Sequence, residues 1–322
     1  MEAVDLRPLS LGELLDRTFR LYRNHFLLFV GIMAIPAALL LPMNVASFSY
    51  QGSQVNATIS SPPKPASLPS FGVILGASIG LMVALVVFGA VYSVAIAAAS
   101  TAVADVYLGR PATIRVSFHR IRGRFWRLLG VVGNIFLRVL GALLLPLGLI
   151  GTAVWAGYRM GGGPSSPVFL LFAVFGFFFA IVASMVLYVV VALRYAVAIP
   201  VVMLEDLSVV ETIRRSVFLT RGRRGHIFLV LLLAGIIATA GVYVFQMPFT
   251  IVMLVSAAQG HVSQWLAFFA AAAGAVGSAL TGPISMIAIV LLYYDSRIRK
   301  EAFDLQFMLS SLDRSQARVS PA

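Results

Sequence analysis

The side chains best suited to bind a ligand are arginines that recur at a fixed spacing. Arg23, Arg122 and Arg221 are 99 residues apart, and each lies between an amphipathic stretch and an apolar run. A guanidinium group can form two parallel hydrogen bonds with a phosphate, so arginines at a membrane surface suit lipid phosphate. The spacing predicts three lipid-phosphate sites. A general positive charge that anchors the chain at the membrane explains it equally well.

Two further arginines lie within apolar runs and are candidate functional residues of the membrane interior. Arg138 is about ten residues into its run, which corresponds to a depth of about 15 Å on a helix. A charge at that depth usually faces protein or water. If the span begins near Val139 instead, Arg138 lies at the interface. Arg194 comes late in its run, and its side chain is expected to extend to the cytoplasmic headgroups.

The remaining polar residues form no pattern typical of catalysis. The chain has twelve acidic residues, four histidines and no cysteine. No acid lies deep in an apolar run, so no carboxylate chain for proton coupling is predicted. The adjacent Glu205 and Asp206 would point about 100° apart on a helix. No metalloprotease, phosphate-loop or serine-hydrolase motif occurs. We therefore expect a non-enzymatic protein without a metal site or cofactor. The amide side chains within the apolar runs are too scattered in the sequence to define a transport pathway; they are Asn44, Asn134 and Gln246.

The elements that must position these residues are membrane helices. Of the 322 residues, 60% are hydrophobic and 11% are charged. A helix that crosses the hydrocarbon core needs about 20 apolar residues. The composition predicts an all-α integral membrane protein with about six transmembrane helices, because six runs are long enough: 26–48, 71–104, 128–155, 168–203, 227–258 and 265–294.

The basic residues indicate how these helices are oriented. Twenty arginines and lysines flank the runs on one side, whereas only Lys64 and Arg159 lie on the other. This asymmetry predicts that both termini are cytoplasmic. The same excess is expected to attract anionic lipid headgroups. Nucleic-acid binding is not expected, because the arginines lie at membrane boundaries and form no separate basic domain.

An internal repeat organises the chain. Residues 113–117 match residues 212–216, and Arg122-Gly123-Arg124 matches Arg221-Gly222-Arg223. We predict three copies, at approximately 6–104, 105–204 and 205–304, each an interfacial amphipathic helix followed by a transmembrane hairpin. Together they form a single membrane domain over residues 1–305. Residues 306–322 are expected to be a short, disordered cytoplasmic tail.

Local signals give more detail within each copy. Ser10 with Glu13, and Ser208 with Glu211, predict capping boxes that open helices. The second copy lacks this pair, so its helix is expected to start at Pro111. Residues 51–70 are rich in serine and proline and predict a flexible outer loop.

The second span of each copy carries small residues at every fourth position, which lets helices approach closely. We predict that these three spans form the packed centre, with Pro200 and Pro283 as candidate break points. The small residues are Gly72, Gly76 and Gly80, then Gly176, Ala180 and Ser184, then Ala270, Gly274 and Ser278.

Three stretches of the sequence resemble a known family. They are LRPLSLGELLDRTFRLYR at residues 6–23, the pattern from Arg194 to Gly222, and YDSRIRKEAFDL at residues 294–305. They resemble bacterial multi-pass proteins known as glycerophosphoryl diester phosphodiesterase membrane-domain proteins. In the enzymes, such a region accompanies a catalytic barrel of roughly 250 residues. No polar stretch here exceeds about 30 residues, so the resemblance implies a membrane module without the phosphodiesterase and assigns no catalytic residue.

The functional expectation is a bacterial inner-membrane protein that contacts lipids or serves as a scaffold for a membrane process. The alternative is a transporter or permease for a lipophilic or small solute, because internal repeats and proline-interrupted helices suit one. Protein partners and homo-oligomerisation stay open.

The orientation can be tested with reporter fusions. A reporter that is active only outside the cytoplasm should be active when fused after residue 60 or residue 162 and inactive on the C-terminal tail. Activity at either position on the same side as the tail would refute the topology.

Overall fold

The computed structural model describes residues 9–60, 71–107, 110–160, 166–259 and 263–301. Within these ranges the chain forms helices and no strand, which confirms the all-α fold. The ten helices are α1 (Leu11–Asn24), α2 (Phe26–Ser60), α3 (Phe71–Tyr107), α4 (Ile114–Arg122), α5 (Phe125–Met160), α6 (Pro167–Tyr195), α7 (Ala198–Leu204), α8 (Val209–Thr220), α9 (Arg224–Ala258) and α10 (Gln264–Glu301).

Six helical segments are long and apolar enough to cross a membrane, as predicted. They lie in α2, α3, α5, α6 continued by α7, α9 and α10. The helix α5 has 36 residues, a length of about 54 Å, whereas the hydrocarbon core is about 30 Å thick. Helices of this length extend beyond the core, so their ends can build a polar layer.

The helix α10 occupies the centre of the bundle. It packs along α9 and α2 and also contacts α1 and α3, and it is the most enclosed of the six spans. The α5–α6 hairpin packs mainly on itself and meets the rest through α3, α7, α8 and α9. The prediction that all three second spans share the centre is therefore wrong.

Small residues of α6 and α10 face the partner helix of their own hairpin, whereas those of α3 face no helix. A methyl group added at Gly176 would lie 2.8 Å from Ile150 of α5, and one added at Gly277 would lie 2.9 Å from the Val242 backbone of α9. A methyl group at Gly72, Gly76 or Gly80 would meet nothing within 4 Å. Small-residue spacing permits a close approach, but it does not select which helix approaches.

The short amphipathic helices begin at capping residues. In α1 the Ser10 N–H donates to the Glu13 carboxylate at 2.8 Å and the Glu13 N–H donates to the Ser10 hydroxyl at 3.4 Å. Ser208 and Glu211 repeat this capping box in α8. The helix α4 starts at Ile114 rather than Pro111, because the Thr113 hydroxyl accepts from the Val116 N–H and caps it.

The apolar stripes of these helices pack on protein rather than lying on lipid. The helix α1 lies against α10, α4 against α3, and α8 against α6 and α7. The 99-residue repeat stays a prediction, but at three sets of positions with that spacing the residue is buried in all three copies. They are Thr18, Ser117 and Ser216; Phe29, Leu128 and Ile227; and Ile32, Val131 and Val230.

Helix interruptions follow the prolines only in part. The chain breaks between α6 and α7 at Ala196 and Val197, where the ring of Pro200 would crowd the Ala196 carbonyl of a continuous helix. Pro283 lies inside the unbroken α10, so the second predicted break is wrong. The helix α2 reaches Ser60, so residues 51–60 are helical rather than loop. Residues 61–70 and the predicted tail at 306–322 lie outside the described ranges.

The α9–α10 contact predicts unequal effects for two identical substitutions. Gly277→Ala should lower the free energy of unfolding by about 1–3 kcal/mol, because the new methyl group meets the Val242 backbone. Gly80→Ala should leave it unchanged or raise it by up to about 1 kcal/mol, because that site is open. Unfolding in detergent micelles measures both; equal losses would contradict the packing described here.

Candidate functional site

The three repeated arginines occupy equivalent places in the structure. Arg23 lies in the last turn of α1, Arg122 ends α4, and Arg221 immediately follows α8. All three are exposed. Among the described residues, no ion pair engages their guanidinium groups. They are not brought together into one site; each stands at the end of its own helix.

Exposed aromatic side chains accompany each of these arginines. Phe26 follows Arg23, Trp126 follows Arg122 at 79% exposure, and Phe218 precedes Arg221. Arg122, Phe125 and Trp126 line one surface hollow. An aromatic ring beside a guanidinium group is typical of the membrane–water boundary. In each copy the arginine and the exposed aromatic residue lie within four positions of each other in the sequence.

Arg138 bonds to neighbouring protein groups rather than standing alone. Its Nε donates to the Asn134 side chain at 2.8 Å, and its Nη1 donates to the Tyr195 hydroxyl. The guanidinium also lies 5.2 Å from the centre of the Tyr195 ring. Tyr195 ends α6 beside the amphipathic helix α8, so this contact favours a position for Arg138 near the interface.

Arg194 contributes its backbone to the same region. Its carbonyl oxygen accepts hydrogen bonds from the Ser216 hydroxyl at 3.0 Å and the Thr220 hydroxyl at 3.3 Å. These bonds join the end of α6 to α8 where the α6–α7 break frees the carbonyl. The Arg194 side chain is exposed, and its reach to the headgroups stays a prediction.

Two carboxylates and two guanidinium groups form a balanced cluster that the sequence did not predict. Arg215 of α8 donates to Glu205 at 2.9 Å and also pairs with Glu301. Arg297 lies 3.2 Å from Glu301 and 3.8 Å from Glu205, and the Tyr293 hydroxyl donates to Glu205 at 2.9 Å. Glu205 thus pairs with groups on α8 and α10 rather than with its neighbour Asp206.

Charge pairing also explains the protonation of this layer. Partial burial opposes the charge of Arg215, but hydrogen bonds to Glu301 and Glu205 outweigh it and raise the pKa of the guanidinium. On the surface, a hydrogen bond from Arg127 and its charge lower the pKa of Asp206. Both shifts favour the charged forms of Arg215 and Asp206.

Asp295 is the most completely buried charge in the described ranges. Its carboxylate accepts from the Leu9 N–H at 2.9 Å, from Arg223 at 2.6 Å and from Arg299 at 3.0 Å. Arg299 also donates to the Leu9 carbonyl at 2.6 Å. The group thus links the segment that precedes α1, the start of α9 and the end of α10. Asp295 and Arg299 are four residues apart, a separation at which two side chains on one helix can pair, and this was the sequence feature that could have indicated the site.

Positive charge exceeds negative charge around Asp295. Lys300 donates to the Arg221 carbonyl at 2.8 Å, and Arg224 opens α9. We call this the basic corner: Arg221, Arg223, Arg224, Arg299 and Lys300. Two buried nitrogens beside it have no hydrogen-bond partner within the described structure, Nε of Arg224 and Nε2 of His226. Such nitrogens fit an oxygen acceptor supplied by a ligand or water.

A groove between membrane helices forms the other notable feature. It lies between α2 and α9 over α10 and has a volume of about 360 Å³. Asn44 and Gln246 both line it, so these two amides are not scattered as the sequence suggested. Asn134 lies elsewhere, bonded to Arg138.

The described residues offer no set of three or more histidine, aspartate or glutamate side chains that could hold a metal ion. The polar layer consists of paired charges and the basic corner. Its ion pairs and hydrogen bonds link helices that are distant in the sequence.

Removing the Asp295 charge should destabilise the protein strongly. Asp295→Asn should lower the free energy of unfolding by about 3–5 kcal/mol, because it leaves the Arg223 and Arg299 charges without their buried partner. Asp16→Asn is the matched control, since Asp16 and Arg20 pair on an exposed surface; it should cost less than about 1 kcal/mol. Equal, small losses in a micellar unfolding measurement would contradict the anchoring role.

Comparison with known proteins places this architecture in a family. No curated protein and no solved structure matches the chain. The family model described as the membrane domain of glycerophosphoryl diester phosphodiesterase matches residues 81–317, more than two thirds of the chain. The match covers α10, α8 and the basic corner, and it agrees with the resemblance seen in the sequence. The chain belongs to this family of membrane domains.

Proposed function

We propose that this chain is a non-enzymatic, multi-pass protein of the bacterial inner membrane that binds anionic lipid headgroups at its cytoplasmic face. Through that contact it organises lipids or serves as a scaffold for partner proteins. One observation carries the proposal: an exposed arginine and an exposed aromatic residue lie within four positions of each other at the end of each amphipathic helix. The basic excess on the same side of the spans supports cytoplasmic termini.

The physical fit to lipid phosphate is direct. A guanidinium group binds a phosphate bidentately and is weakly hydrated, and an aromatic ring anchors beside it at headgroup level. The third copy is the strongest of the three. Its Arg221 belongs to the basic corner, where Arg224 Nε and His226 Nε2 lack partners. A phosphate oxygen would supply an acceptor for the Nε–H of Arg224.

Neutralising the three arginines together tests the proposal. The variant Arg23→Gln, Arg122→Gln and Arg221→Gln should reduce enrichment of phosphatidylglycerol over phosphatidylcholine around the protein at least fivefold. The loss follows because three phosphate contacts disappear. Native mass spectrometry of lipids retained from mixed nanodiscs gives the measurement.

A matched control separates specific sites from general positive charge. Arg20, Arg115 and Arg214 are exposed on the same three helices, and changing them to glutamine removes the same charge. This control should reduce enrichment less than twofold. Equal losses in the two triple variants would leave only a general electrostatic anchor and refute the three sites.

A permease for a lipophilic or small solute is the second candidate, and the groove between α2 and α9 favours it. Prolines inside three first spans also suit moving helices: Pro42, Pro146 and Pro248. Lipid flipping or solute uptake in proteoliposomes discriminates between the two functions. Transport that is abolished by Arg138→Leu would place the permease first.

A further inference from the structure

The groove between α2 and α9 has the dimensions of a ligand site. Its floor is α10, and Tyr92 of α3 closes one edge. Its volume of about 360 Å³ falls within the range of about 300–1,000 Å³ that is usual for small-molecule pockets. Along α10 it extends from Ala271 to Gly282, a helical rise of about 16 Å. The space is long and narrow.

Two carboxamides in this groove lack partners. Asn44 of α2 and Gln246 of α9 both line it, and neither side chain has a hydrogen-bond partner among the described residues. Gln246 lies over the α10 backbone, because a methyl group added at Gly274 would be 3.4 Å from its carboxamide carbon. An amide without a partner in an apolar environment is costly. In membrane bundles such groups usually bond across helices.

The rest of the lining limits what can occupy the groove. No acidic, basic or histidine side chain borders it within the described residues; its other polar groups are neutral hydroxyls, including Tyr92 and Ser278. Most of the lining is apolar, with Met33 and Leu40 among the side chains. Water could satisfy the amides, but it would leave these walls in contact with a polar liquid. An occupant with one apolar chain and an uncharged polar group would cover the apolar walls and also hydrogen-bond to the two amides.

The groove is also remote from the basic corner. Asn44 is 18 residues beyond Phe26 along α2, a rise of about 27 Å. The two amides therefore lie toward the end of the bundle opposite the arginines. A molecule held there makes no contact with the lipid-phosphate sites, so the two kinds of binding can be tested separately.

We propose that this groove binds an uncharged single-chain amphiphile of the monoacylglycerol type. Its chain lies along α10 between α2 and α9, and the Asn44 and Gln246 carboxamides hydrogen-bond its ester or hydroxyl group. This site goes beyond the proposed lipid-phosphate function and does not depend on it.

Photolabelling tests the site in the intact protein. A monoacylglycerol with a diazirine in its chain, added to phosphatidylcholine nanodiscs, should label α2, α9 and α10 saturably. Unlabelled monooleoylglycerol should compete, whereas oleate, with the same chain and a negative charge, should compete at least tenfold more weakly. Labelling that does not saturate would overturn the proposal.

Two kinds of variant identify the residues. Asn44→Leu with Gln246→Leu should reduce labelling at least tenfold and leave the Tm unchanged or raised, because it removes two unsatisfied amides. Gly274→Leu should also reduce labelling by filling the groove, whereas Gly80→Leu, on the open face of α3, should not.

The outcomes are decisive in each case. Labelling that survives the double variant would overturn the assignment of Asn44 and Gln246. If the double variant loses Tm together with labelling, Gly274→Leu decides, and undiminished labelling in that variant overturns the site. The triple glutamine variant of Arg23, Arg122 and Arg221 should keep full labelling, so failure of the lipid-phosphate proposal leaves this result unaffected.

Discussion

The buried carboxylate of Asp295 holds together three parts of the chain that are distant in sequence. It binds the Leu9 backbone, Arg223 at the start of α9 and Arg299 at the end of α10. A buried charge is tolerated only with full pairing, so this group fixes how those segments meet. With α1 joined to α10 in this way, the first and last helices of the described chain become neighbours, and α10 becomes central.

The same requirement divides the molecule into two chemically different ends. Charged side chains cannot be left unpaired in hydrocarbon, and they gather in the layer of short helices. There they either pair, as Glu205 and Glu301 do with Arg215, or stay exposed, as Arg23 and Arg122 do. Within the described spans, Arg138 bonds to Asn134 and Tyr195, and the groove between α2 and α9 is lined by neutral side chains. The exposed arginines and the neutral groove between α2 and α9 therefore lie in different parts of the molecule.

Local signals in the sequence predicted individual elements well. Apolar runs located six spans, and the Ser10 and Ser208 capping boxes located the starts of α1 and α8, because these features depend on neighbouring residues only. Predictions of packing failed where the contact depends on a residue that is distant in the sequence. The glycines of α3 fit a packing motif but meet no helix. Asn44 and Gln246 looked unrelated, although they line one groove.

The sequence by itself determined that this is a membrane protein with six long apolar helices and three short amphipathic helices. It also determined that most arginines flank the spans on one side. Those properties follow from hydropathy, periodicity and charge, which depend on residues that are close together in the sequence. The tertiary structure alone decided that α10 is the central helix, that Glu205 pairs with Arg215 rather than acting with Asp206, and that the amphipathic stripes rest on protein. Such outcomes depend on which surfaces can approach closely enough to bond, and that distance is fixed only when all helices pack together.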